Sequence, residues 1–109
     1  LEPKHADAHL ALGLYHAEIV AKVGGFAARL TYGVNAEAAE KHFERAIALN
    51  PASPVGPLEY ANGLLMMHGS KARRRAEDLY RTAVASVPAD AMERLDVERA
   101  RAALAPAGR

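Results

Sequence analysis

Cysteine and tryptophan are absent from this chain of 109 residues, phenylalanine occurs only twice, and valine, isoleucine and threonine are thin and scattered. Without cysteine, neither a disulfide framework nor a thiolate metal site can form, and redox logic is silent about compartment. No apolar run approaches the roughly 18 residues that a membrane span requires. The opening Leu1-Glu2-Pro3-Lys4-His5 lacks the charged-then-apolar layout of a signal peptide. Charge of one sign is also missing: 14 basic residues against 13 acidic leave a formal charge of +1. That removes any global electrostatic drive toward nucleic acid or anionic lipid, so neither is expected as a partner. What is abundant is alanine, and its abundance beside so few strand formers favours helix throughout. The length suits one domain, able to hide roughly 60 to 70% of its unfolded surface in a modest core.

The chain repeats itself, with proline as the anchor. Reading back from Pro51 gives Ala46, Phe43 and Ala39, and reading back from Pro88 gives Ala83, Tyr80 and Ala76 at the same offsets. Spacings of three and four put these small residues and one aromatic on a single helical stripe, so each segment reads as a helix burying one face. Reading forward, Pro3 leads to Leu10, Leu12 and Gly13, while Pro51 leads to Leu58, Tyr60 and Ala61 at identical offsets. Two helices per unit follow. Leu1-Glu2-Pro3 is like Leu49-Asn50-Pro51, the end of a unit, which leads us to expect a piece of a longer array.

A helix-turn-helix unit with Leu-Gly in its first helix, followed by alanine, an aromatic, alanine and proline, resembles the tetratricopeptide repeat (TPR). The resemblance implies an all-α, right-handed stack of antiparallel helix pairs in a single domain over residues 1 to 109. Repeat one would cover 6 to 51, repeat two 54 to 88, and a capping helix 90 to 105. The family's unit is about 34 residues; here Pro3 to Pro51 spans 48 and Pro51 to Pro88 spans 37. The excess falls between the two helices of each unit, and in repeat one it forms an insert at 24 to 34. His9 and Pro57 stand where the family often has tryptophan, and His16 and Leu64 where it often has tyrosine.

The residues predict helices at 6 to 23, 36 to 49, 54 to 68, 71 to 86 and 91 to 104. Gly24-Gly25 opens the insert, and Gly33 with Asn35, a plausible N-cap, closes it. The alternative is a first helix running unbroken to about Tyr32, because Ile19, Val23, Phe26 and Leu30 keep a heptad-like spacing through the glycines. Asp90 with Glu93 gives the last helix a capping-box start. Glu98, at the position taken by Gly13 and Ala61, would obstruct a following helix, so this one should close the array. Ala105 to Arg109 should fray.

Little in the sequence advertises chemistry. His5, His9 and His16 fall near one helical face, but no carboxylate is spaced to complete a metal set and His-Glu-x-x-His is absent. His9 and His16 therefore read as half-buried fillers, and no metal or cofactor is expected. Ser53, Ser70 and Ser86 suit turns and helix ends, His42 beside Glu40 and Glu44 reads as a charged flank, and the glycines match no phosphate-binding loop. We expect no enzyme. Lys71, Arg73, Arg74 and Arg75 place positive charge at a helix start, against the macrodipole, and read as a solvated turn or a contact for an acidic partner.

In the resembling family, first-helix side chains line a concave face that recognises peptides. Carried over, these positions are Asp7, Leu10, Leu14, Ala17 and Glu18, then Val55, Leu58, Asn62, Leu65 and Met66. Leu10 and Leu58 replace the lysines with which some members clamp a terminal carboxylate, leaving only Asn62 of that set. Within the insert, Phe26, Leu30 and Tyr32 must either pack on the hairpin or face a partner. The expected function is a protein- or peptide-binding interaction module. The alternatives are a small-molecule-binding accessory subunit, with the insert closing an apolar pocket lined by Phe26, Leu30 and Met66, and a structural role that extends a longer array or self-associates.

Overall fold

In the computed structural model, residues 3 to 105 are described, and among them every regular element is helical. Six α-helices follow one another: α1 (Pro3–Val23), α2 (Gly25–Ala27), α3 (Ala36–Leu49), α4 (Val55–His68), α5 (Arg73–Ala85) and α6 (Ala91–Leu104). Leu1-Glu2 and Pro106 to Arg109 lie outside the described residues, so the expected array start and fraying end are not seen.

Helix α1 begins earlier than the sequence suggests, at Pro3, because the first helical position has no N–H bond for a proline to lose. It stops at Gly24, whose φ of 86° is left-handed backbone that glycine adopts without strain. An unbroken helix to Tyr32 is thereby excluded. Yet the insert is not an open loop either: α2 runs directly into a π-helix, Ala28–Tyr32, which Gly33 ends in the αL conformation. Ala28 and Val34 are buried against Val20, so the insert folds back onto the end of α1.

Local signals set the remaining boundaries. Asn35 caps α3 by accepting from the Ala38 N–H at 2.8 Å, and Asp90 caps α6 by accepting from the Glu93 N–H at 2.8 Å. The Glu93 carboxylate reaches back to the Ala89 N–H at 2.9 Å, one residue ahead of the cap. Buried Ser53 accepts from the Val55 N–H where the chain enters α4. Between α4 and α5 the chain makes a 3₁₀ turn, Gly69–Ala72, so α5 starts two residues later than the spacing predicted.

Helix α1 packs chiefly on α3 and also on α4; α3 packs on α4, α4 on α5, and α5 on α6, with α6 also touching α4. The result is a slab 41 × 40 × 18 Å in extent, about two helix layers thick at interaxial spacings of roughly 8–10 Å. The repeated stripe supplies its core: Ala39, Phe43, Ala46, Ala76, Tyr80 and Ala83 are all buried. Phe43 is wholly enclosed and lies parallel to Tyr60, with ring centroids 5.2 Å apart and planes 12° from parallel. Glycines let the neighbouring helices close on it, since a Cβ on Gly13 or Gly63 would meet the Phe43 ring at 3.0 or 2.8 Å. Enclosing a phenylalanine in this way is worth roughly 1.5–3 kcal/mol. A second cluster, of Leu58, Ala61, Tyr80, Ala83 and Ala100, joins α4 and α5 to α6. Glu98 faces outward on α6.

Candidate functional site

The groove positions carried over from the resemblance do not form one free surface. Ala17 and Leu58 are 0% and 2% exposed and belong to the two main core clusters, so they offer nothing to a partner. Leu10 and Leu14 lie half-buried against the Phe43 cluster, and Leu65 against the Leu58 cluster. Asp7, Glu18 and Met66 are exposed and Val55 partly so. Asn62 is occupied: its amide oxygen accepts from the Tyr80 hydroxyl at 2.5 Å, and its amide nitrogen donates to Glu59 at 3.2 Å. A side chain held at both ends is poorly placed to clamp a peptide carboxylate as well.

The insert behaves differently. Phe26 is 80% exposed, Leu30 70% and Tyr32 51%. Buried Ala28 fixes the segment, while the apolar side chains on its other face stand in solvent. Together with Gly25, Arg29, Asn35 and Ala36, Phe26 and Leu30 border an open pocket of roughly 390 Å³ between the insert and the start of α3. Met66 takes no part in it. Held to α1 through Ala28 and Val34, the insert thus leaves Phe26 and Leu30 exposed at the border of one pocket, and contiguous exposed apolar surface is a common mark of an interaction site.

Two polar clusters lie elsewhere, and both join helices. In the first, Glu40 of α3 accepts from the Tyr60 hydroxyl of α4 at 3.0 Å and from Arg75 of α5 at 2.9 Å. Arg75 also donates to the Tyr60 oxygen at 2.9 Å, and that hydroxyl has Glu44 as a second acceptor at 3.1 Å. The His68 ring stands 3.6 Å from Glu40. Burial would raise the Glu40 carboxyl, but the Arg75 and Tyr60 hydrogen bonds outweigh it and hold the group below its ordinary range. Burial and these carboxylates push the Tyr60 hydroxyl well above its usual value. One member of the basic run is thus engaged in holding three helices together; Lys71, Arg73 and Arg74 remain exposed.

The second cluster is made of imidazoles. His9 and His16 of α1 are half-buried as the sequence suggests, but their companion is His42 of α3 and not His5, which is exposed. His9 Nδ1 and His42 Nδ1 are 3.0 Å apart, and the His16 ring centroid lies 5.5 Å from that of His42. The signal for His42 was present: it falls three residues after Ala39 and four before Ala46, on the flank of the buried stripe. The arrangement suits a proton better than a metal. An ion at about 2.0 Å from each nitrogen needs both lone pairs aimed at one point beside the line that joins them, whereas the two Nδ1 atoms, 3.0 Å apart, face each other at hydrogen-bond distance. Among the described residues, no group of three or more His, Asp or Glu is placed to hold a metal ion, and no helix is long and apolar enough to cross a membrane.

Comparison with protein-family models, with curated proteins and with solved structures gives no match.

Proposed function

We propose that this chain is a non-catalytic module that binds protein or peptide, built as a TPR-like stack of helix pairs. The order of packing supports that build: α1 with α3, α4 with α5, each pair leaning on the next first helix, and α6 closing the series. The observation that carries the binding role is the anchored insert with Phe26 and Leu30 in solvent beside an open pocket. An apolar side chain from a partner would fill that pocket, with Arg29 and Asn35 at its border to orient it. The binding surface is therefore centred on the insert, with Asp7, Glu18 and Met66, and in part Val55, as what remains accessible of the concave face.

Selection of peptides from a random library on the purified chain tests this. Ligands so obtained should lose about tenfold or more in affinity, the equivalent of roughly 1.4 kcal/mol, on the Phe26→Asp/Leu30→Asp variant. They should keep binding to Glu18→Lys/Met66→Glu. The reverse pattern would move the site to the groove, and loss on neither variant would sink the proposal. The pocket volume also falls within the range of small-molecule sites, which favours a ligand-binding accessory role as second reading. The absence of Met66 from its wall, and its openness, leave little to enclose a ligand.

A further inference from the structure

We propose that His9, His16 and His42 form a proton-operated clasp between α1 and α3, which releases α1 from the rest of the slab as the solution turns mildly acidic. The His9 and His42 ring centroids are 5.3 Å apart and their planes differ by 30°, while the Nδ1 atoms are separated by 3.0 Å. The difference between these distances is about that from the centroids to the two nitrogens, so the nitrogens lie on the line joining the rings. One imidazole then donates N–H to the lone pair of the other. The bond holds with one proton between the two nitrogens. With both rings protonated, two N–H donors meet head-on and the bond is lost.

His16 makes the second protonation harder still. Its ring lies beside that of His42, tilted by 31°, and edge-on to Tyr15, and its Nδ1 is sealed from solvent with no hydrogen-bond partner among the described residues. A proton placed there would be a buried, unpaired charge. Among the described residues, no carboxylate bears on His16 or His42. On α1, Asp7 and Glu18 are exposed; on α3, Glu40 and Glu44 are turned to Tyr60, while Lys41 and Arg45 are exposed cations. From α4, Glu59 is bonded to Asn62 and His68 is beside Glu40; from the insert, Arg29 is exposed. The charges that bear on His42 are those of His16 and His9 themselves.

The sign follows. Burial lowers His16, and burial followed by repulsion from His16 and His9 lowers His42. The folded chain then holds fewer protons than the unfolded chain once pH falls below about 6.5, so the clasp's contribution is complete above that value and is lost below it. The element that responds is α1, which otherwise rests on Phe43 and Leu64 through Ala17, Leu10 and Leu14.

Hydrogen exchange and histidine titration by NMR on the full chain test the clasp. Between about pH 7.5 and pH 5.5, amide protection in α1, corrected for intrinsic exchange, should fall about tenfold more than protection in α6. His42→Gln should abolish that difference, and His5→Gln should leave it intact. In the wild-type chain, His16 and His42 should titrate below the ordinary imidazole value of about 6.5, a readout that does not depend on any variant folding. Equal loss of protection in α1 and α6, or His16 and His42 titrating at or above about 6.5, would overturn the clasp.

Discussion

Gly63 stands so close to Phe43 that a Cβ on it would come within 2.8 Å of the ring's Cε2. The ring cannot yield easily, because Gly13 closes on it from α1 and the Tyr60 ring lies parallel at 5.2 Å. Gly63→Ala gains roughly 1 kcal/mol of helix propensity, but overpacking a filled core costs about 1–3 kcal/mol. We expect a net loss of up to about 2 kcal/mol, read as a lower urea midpoint with unchanged slope. A more stable variant would show that the ring shifts freely and that the close approach of α1 and α4 is not set by these glycines.

The Glu40 cluster predicts a particular acid response. Because hydrogen bonds hold Glu40 low despite its burial, the folded chain binds fewer protons than the unfolded one as pH falls below about 4.5. Stability from this group is thus present above that pH and lost beneath it. Arg75→Gln removes the strongest bond to Glu40; since Arg75 is half exposed, the loss at neutral pH should be only about 1 kcal/mol. Its diagnostic feature is the acid limb, which should be shallower than in the parent chain. Urea unfolding at several pH values from neutral to about pH 3.5 would show it.

Helix caps offer a separate test, because their signals are local. Asn35→Ala and Asp90→Ala should each cost about 1 kcal/mol by leaving a first-turn N–H without an acceptor. Asn35→Ala should also loosen the border of the pocket at Ala36, so ligands selected on the parent chain should bind it less tightly. Asp90→Ala, at the start of α6, which packs on α4 and α5, should leave their affinity unchanged.

Those two caps also explain why α3 and α6 begin where the residues predict. An N-cap is a contact between neighbours in sequence, so a single chain displays it, as does the 3–4 spacing of Ala39, Phe43 and Ala46. What lies beyond is set by the next helix. Nothing in α4 alone tells that α6 will cover Leu58, or that Tyr80 will occupy Asn62, and both residues therefore pass for groove. Gly63 escapes the repeat comparison because it has no counterpart at the Gly13–Ala61 position; its reason is a ring on another helix. The paired glycines announce the break after Val23, whereas the π-helical turn that follows depends on Ala28 and Val34 finding Val20, a tertiary event.

The clearest division between core and surface lies between Leu58 and Phe26, two large apolar residues that the sequence alone placed in candidate sites. Leu58 is wholly enclosed among Ala61, Tyr80, Ala83 and Ala100, so Leu58→Ala should open a cavity where α4, α5 and α6 meet and cost about 2–5 kcal/mol. Phe26 has most of its surface in water, so Phe26→Ala forfeits little burial and should change stability by no more than about 0.5 kcal/mol. Thermal unfolding of both variants measures the contrast directly. A large loss for Phe26→Ala would mean that its ring packs on the insert in solution, leaving no apolar ledge for a partner. A small loss for Leu58→Ala would mean that α6 does not cover α4, which would return Leu58 to the groove.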